Sequence, residues 1–496
     1  MSDKTPDNDV DGISEETAQM VGNAEALTVA GMQSDLRIPV AANTGAVAAV
    51  GLDLQVGKVV PRKQVFSWAL WDWATQPFNS VILTFVFTAL YLTTDTFIDP
   101  TVAALGEGNP TYDRALSALS SQYGVAIFIA GALIAILAPV QGQRADTAGR
   151  RKLWLGISTG VLVVCMALLF FVQAAPPFFV LGISLIALGS VFSEIAGVNY
   201  NAMLVQVSTR KTIGRISGLG WGLGYLGGIV ALILVVVFTK LDWFGMSTDN
   251  GMAFRVIALG CAAWAIIFSI PIFLNVPEAP PAPNRPKVSI LRSYVVLFQD
   301  IAKLYRESRP TFWFLLASAV FRDGLAGVFA FGAIIAAVTF KFTSDEVLIF
   351  GIVANLVAGI STILAGRFDD IFGPRAVIIF SLFGLVVAGT ATFLLHDAGK
   401  MVFWVAGLLL TVFVGPAQAA SRSLLARVTP AGKEGEIFGL YATTGRAASF
   451  LSPGLWALFI AIAGVQYWGI LGIVIVIAVG LLLMLFVKLP KHVRVS

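Results

Sequence analysis

Long apolar runs alternate along the chain with short polar or glycine-bearing breaks. Twelve of these runs reach the roughly 20 helical residues that about 30 Å of hydrocarbon requires. They fall at 66–93, 120–140, 153–173, 178–203, 215–238, 252–275, 311–339, 345–366, 376–396, 402–427, 436–463 and 466–488. Runs of this length exclude a closed β-barrel, whose strands need only about 10 alternating residues. The pattern predicts an all-α membrane protein with twelve transmembrane helices. Residues 1–61 are polar and Gly/Ala/Asp-rich and read as a disordered cytoplasmic tail, not a secretory leader. The stretch 276–310 opens Val276-Pro277-Glu278-Ala279-Pro280-Pro281-Ala282-Pro283 and continues as a basic amphipathic segment from Leu291 to Tyr305. It splits the spans six and six: a bundle over 62–275, a cytoplasmic linker over 276–310, a second bundle over 311–488 and a basic cytoplasmic tail over 489–496.

Composition agrees with a bilayer setting. The 496 residues are 57% hydrophobic and 12% charged, against about 25% charged in soluble domains. The net charge of +4 does not point to nucleic acid, because the bases sit in short clusters between apolar runs instead of along one solvent face. Sorted by side of the membrane, 25 Lys and Arg lie with the N-terminus and four, Arg114, Lys240, Lys341 and Lys400, lie opposite. Positive charge marks the cytoplasmic face, so both termini are expected inside a multi-pass protein of the cell membrane. Cys165 and Cys261 fall within apolar runs and read as inert packing residues. With His396 and His492 as the two histidines, no nucleophile–base or metal grouping is visible. Neither an enzyme nor a cofactor or metal site is expected.

The chain repeats itself. Gly142-Gln-Arg-Ala-Asp146-Thr-Ala-Gly149-Arg-Arg151, after span two, aligns with Gly366-Arg-Phe-Asp-Asp370-Ile-Phe-Gly373-Pro-Arg375, after span eight, at an offset of 224. A second pairing, at an offset of 221, sets 203–224 against 424–445. Two pseudo-symmetric six-helix bundles are the simplest account, and such repeats characterise secondary transporters. Each loop reads as a tight turn needing glycine, with an aspartate able to face the positive N-terminal end of a helix in the other half. By symmetry Asp146 is expected near Gly435 and Asp370 near Gly214, closing the cytoplasmic side. These loops resemble the signature of the major facilitator superfamily, and the resemblance implies that fold.

Ionisable side chains inside spans are costly and therefore functional candidates. They are Asp72 in span one, Glu194 in span four, Arg322 and Asp323 in span seven, Arg422 in span ten and Arg446 in span eleven. Three acids against three bases suggest mutual pairing across the halves, or a path for a charged solute. Helical spacing puts Gln76 and Asn79 on the face of Asp72, Asn201 on that of Glu194, and Gln418 one turn from Arg422. In the superfamily the first, fourth, seventh and tenth helices line the cavity, which covers all these candidates but Arg446. Pro77 removes a backbone hydrogen bond and marks a discontinuity in span one. Trp68, Trp71 and Trp73 read as interfacial anchors. Gly220, Gly224 and Gly228 form a small-residue ridge for close helix packing. The embedded Gly222-Leu-Gly-Tyr-Leu-Gly227 lacks the strand and crossover of a nucleotide fingerprint.

Longer segments narrow the likeness. Trp68-Ala-Leu-Trp-Asp-Trp-Ala74, Tyr200-Asn-Ala-Met-Leu204, the glycine-rich stretch 214–228, Arg322-Asp-Gly324, Ser421-Arg-Ser-Leu-Leu-Ala-Arg427 and Gly435-Glu-Ile-Phe-Gly-Leu-Tyr441 resemble, in order, the branch of fungal vacuolar amino-acid effluxers and their bacterial relatives. Trp71 and Thr75-Gln76-Pro77 depart from that branch within the expected cavity. The resemblance implies alternating access by a monomer that moves a small solute such as an amino acid, with efflux as the expected direction, coupled to protons or another ion. Asp323 and Glu194, then Asp72, are the proton-carrier candidates. A multidrug exporter of the same superfamily and a non-transporting membrane receptor or scaffold are the competing readings.

Overall fold

The computed structural model describes residues 59–106, 109–240, 251–278, 290–307, 309–430, 433–463 and 465–487. Most of the N-terminal tail, the proline-rich opening of the linker from Ala279 onward, and His492 with the basic C-terminal tail lie outside the described residues. Among the described residues eleven helices are long and apolar enough to cross a membrane, and the interrupted first segment makes a twelfth crossing, in the order α1 (Arg62–Pro77), α2 (Pro110–Ala148), α3 (Arg151–Leu168), α4 (Phe179–Ala202), α5 (Ile213–Lys240), α6 (Met252–Asn275), α7 (Arg309–Ile334), α8 (Ser344–Phe372), α9 (Pro374–Leu394), α10 (Lys400–Val428), α11 (Glu434–Ala463) and α12 (Trp468–Phe486). The basic amphipathic segment forms a separate linker helix, Ile290–Glu307, before α7. Large apolar side chains such as Phe128, Leu274, Phe380 and Phe486 stand exposed on the outer surface, as a wall against acyl chains requires.

Two crossings are broken. α1 is α-helical to Pro77, then continues as π-helical turns over Phe78–Phe85 and Thr88–Leu92. Proline lacks the N–H that would continue the ladder, and π turns of this kind often occur at functional sites. The eleventh crossing stops at Ala448 and restarts at Leu451. At the end of α8 away from Phe372, Thr343 and Glu346 form a reciprocal capping box that starts the helix. A hydrogen bond from Lys400 holds the Glu346 carboxyl below its usual range.

The Gly-x-x-x-Asp segments differ from the expected turns. α2 runs through Ala148 and α8 through Phe372, so Gly142, Asp146, Gly366 and Asp370 are helical. The turns are confined to Gly149 and Gly373, both at positive φ (61° and 86°), a region glycine enters without strain. Gly142 and Gly366 serve helix contact instead. A Cβ on Gly366 would lie 2.7 Å from the Gly214 carbonyl oxygen, and one on Gly142 would overlap that of Gly435.

Small residues set the remaining packing. On α5, Gly214, Gly218 and Gly222 press against Gly366, Thr362 and Gly359 of α8, in the other bundle. The ridge of Gly220, Gly224 and Gly228 meets Trp68, Asp72 and Gln76 of α1. With glycine on both faces, α5 lies backbone-close to two neighbours at once, where any Cβ would hold them apart. Gly435 and Gly439 do the same for α11 against Gly142 and Pro139 of α2.

Candidate functional site

α10 carries Arg422 across the seam between the bundles. Its Nη1 donates to Asn201 Oδ1 at 2.9 Å and Asp72 Oδ2 at 3.3 Å, its Nε to Ser217 Oγ at 3.0 Å and its Nη2 to the Ser217 carbonyl at 2.6 Å. The guanidinium carbon lies 5.2 Å from the Trp68 ring and 5.6 Å from those of Tyr200 and Trp221. Tyr200 donates its hydroxyl to Asp72 Oδ2 at 2.9 Å. Trp68 and Trp71 are buried and stack on Tyr200, with centroids 4.4 and 4.5 Å away. They are therefore not interfacial anchors: the space beside Gly220 draws Trp68 inward against Tyr200 and Arg422. Trp73 stacks on Trp264 instead. One turn from Arg422, Gln418 accepts the Tyr225 hydroxyl at 2.8 Å. Gln76 packs against Gly228.

A second ion pair also joins the bundles. Arg446 Nη2 of α11 meets Glu194 Oε1 of α4 at 2.9 Å. Both border a small, partly open cleft shared with Phe78, Asn79, Ile134 and Ser193. Asn79 belongs to the π-helical part of α1, so the break after Pro77 opens onto this cleft.

Arg322 and Asp323 diverge, as adjacent helical residues must. Arg322 lies 3.7 Å over the Tyr441 ring and donates to its carbonyl at 2.9 Å. Asp323 is buried and accepts the Ser452 backbone N–H at 2.6 Å, while Ser452 Oγ donates to the Asp323 carbonyl. The carboxylate thus caps the restarted half of α11, satisfying an N–H that the break leaves unpaired.

At the end that carries both Gly-x-x-x-Asp segments, two latches cross the seam. Asp146 accepts the backbone N–H groups of Gly435 and Glu436, both at 3.0 Å, at the start of α11. Asp370 accepts those of Gly214 at 2.7 Å and Arg215 at 3.1 Å, at the start of α5. In each, a carboxylate meets the positive end of a helix dipole. Arg151 reinforces the first by pairing with Asp146 and Glu434, both at 2.6 Å. The second is not its copy. Arg375, placed by the repeat at the equivalent position, bonds the Leu485 carbonyl, because Pro374 starts α9 and turns its neighbour toward α12. Arg427 of α10 supplies the cation, pairing with Asp369 at 3.2 Å and Asp370 at 3.4 Å.

Tyr200, Ser217, Trp221, Asp369, Arg427 and Glu434 were not singled out from the sequence. Some carried a signal, since Tyr200 adjoins Asn201, Asp369 adjoins Asp370, and Arg427 ends the Ser421–Arg427 segment. Ser217 and Trp221 carry no charge and stand out only once Arg422 is seen against them.

The chain as a whole resembles known proteins. The family model described as "Vacuole effluxer Atg22 like" matches residues 117–495. The MFS-type transporter YxiO of Bacillus subtilis (strain 168) is 26% identical over 437 residues, which cover 88% of this chain and 97% of that one. Autophagy-related protein 22 of Cryptococcus neoformans var. neoformans is 23% identical over 306 residues, covering 58% of this chain and about half (53%) of its own length. Among solved structures, the human organic anion transporter MFSD10 superposes with a TM-score of 0.64 at 14% identity, covering 85% of this chain and 99% of that one. The E. coli fucose:proton symporter FucP superposes with a TM-score of 0.63 at 12% identity, covering 86% and 98%. The twelve crossings in two related bundles and the match over most of the chain agree: it belongs to the Atg22-like branch of the major facilitator superfamily of transporters.

Proposed function

We propose that this protein is a secondary active transporter that exports a small polar solute of the amino-acid kind across the cell membrane, as a monomer, with both termini cytoplasmic. The reading rests on the two ion pairs, Asp72–Arg422 and Glu194–Arg446, each joining helices of opposite bundles inside the membrane layer. Charges at such depth are costly and are retained where they bind or switch. Closure at the latch end supports alternating access: rocking the bundles would withdraw Asp146 and Asp370 from the helix starts that they cap and open that side. Of the in-span acids that would carry a coupling proton, Glu194 borders the cleft, whereas Asp72 and Asp323 are held by Arg422 and Ser452.

The test is counterflow of labelled amino acids and other small solutes in proteoliposomes, with the pH gradient and membrane potential set independently. The expected result is amino-acid flux that responds to one of the two gradients. Flux indifferent to both would remove ion coupling, and absence of flux for every solute would remove the carrier reading.

A further inference from the structure

The two seam-crossing ion pairs differ in their surroundings. Arg422 is 3% exposed, with Asp72, Asn201 and both oxygens of Ser217 on its N–H groups and three aromatic rings around it. A solute could displace these partners only by breaking several charge-assisted bonds in a buried place, which would leave Asp72 uncompensated. Arg446 and Glu194 have side chains 37% and 38% exposed, joined by one hydrogen bond of 2.9 Å. Among the described residues, the side chains of Asn79 and Ser193 beside them have no hydrogen-bond partner. Four helices of both bundles, α1, α2, α4 and α11, enclose the cleft, so its opening belongs to the seam. Both broken crossings reach it: Asn79 lies just past the break in α1, and Arg446 just before that in α11.

We infer that the Glu194–Arg446 cleft is the solute site and takes a small zwitterion, its carboxylate on Arg446 and its cationic nitrogen on Glu194. Asp72–Arg422 stays paired as a fixed tie between α1 and α10. The assignment rests on the carrier reading above and adds the site and its selectivity. Exchanging one internal pair for two solute pairs keeps the site neutral. A solute bearing a single charge would pair with only one of Glu194 and Arg446 and leave the other without its counter-ion, so it binds more weakly. Asn79 and Ser193 supply the donors and acceptors that orient the bound molecule.

The experiment measures binding to the purified full-length protein by calorimetry, with alanine, propionate and ethylamine as probes. Each is compared on the wild type, Glu194→Gln and Arg446→Gln. Alanine is expected to bind the wild type, with propionate and ethylamine at least about tenfold weaker, and each variant is expected to lose at least about tenfold in alanine affinity. If a single variant fails to fold, the double exchange Glu194→Arg with Arg446→Glu keeps the pair neutral and is expected to bind alanine again. A folded double variant without binding overturns the proposal. Alanine affinity unchanged in both single variants also overturns the site, while leaving transport intact. A wild type that carries some other solute but binds no zwitterion overturns the ligand class. Absence of flux for every solute would instead fell the carrier reading.

Discussion

Gly435 and Gly142 meet backbone to backbone across the seam: a Cβ on Gly435 would lie 2.7 Å from the Gly142 carbonyl oxygen. The contact brings the start of α11 to Asp146, whose carboxylate then receives the N–H groups of Gly435 and Glu436. Glycine and aspartate thus form one device, since the capping bonds exist only while the backbones touch.

Gly435→Ala should therefore act at a distance from any solute. Overpacking typically costs about 1–3 kcal/mol, and here the cheapest relief is separation of α2 from α11. The expected outcome is a lower melting temperature and faster labelling of a cysteine introduced at the latch end. Cys165 and Cys261 are both buried and should contribute little background. Labelling equal to that of the parent would show that the latch tolerates the methyl group.

Asp146→Asn and Asp370→Asn remove charge from two backbone hydrogen bonds each, and from one to an arginine. Bonds to charged groups contribute about 1.5–3 kcal/mol, so each variant should shift the equilibrium away from latch-end closure and lower the flux. Asp146→Asn should be the more severe, because it also strips Arg151 of one of its two carboxylates. Solute flux and latch-end labelling, measured together, check both statements.

Arg422→Lys should not be a mild change. An ammonium cannot reproduce the guanidinium's fork to Ser217 and Asn201 or its contacts with three rings. A melting temperature well below the parent's is expected, lowered further by Asp72→Asn in the same chain, since the ammonium would then lie among the same rings without its carboxylate. Thermal unfolding of the single and double variants decides it.

Asp323→Ala should behave as a lost helix cap. The cost is about 0.5–2 kcal/mol, visible as lower thermal stability, with the pH profile of residual flux unmoved. A displaced pH profile would return Asp323 to the role of a proton carrier.

Part of this arrangement was legible along the chain. The repeat at an offset of 224 led from Asp146 to Gly435 and from Asp370 to Gly214, because a duplicated motif on duplicated bundles meets duplicated partners. Pro77 announced the break in α1 because its missing N–H acts within one helical turn. The repeat misled at Arg375, where Arg427 holds the equivalent place. It also suggested loops where α2 and α8 remain helical, since glycine in a sequence does not declare whether it serves a turn or a close contact.

The order of apolar runs and charged breaks by itself determined that this chain makes twelve crossings in two related halves. Hydrocarbon demands a fixed length of satisfied backbone, and that demand is local. Which charges pair was decided only by the tertiary structure. Asp72 and Arg422 stand 350 residues apart, and Glu194 and Arg446 stand 252 apart. The buried state of the first pair and the open state of the second depend on which aromatic, glycine and serine neighbours the packed helices bring around each, a property of contact geometry that no linear pattern encodes.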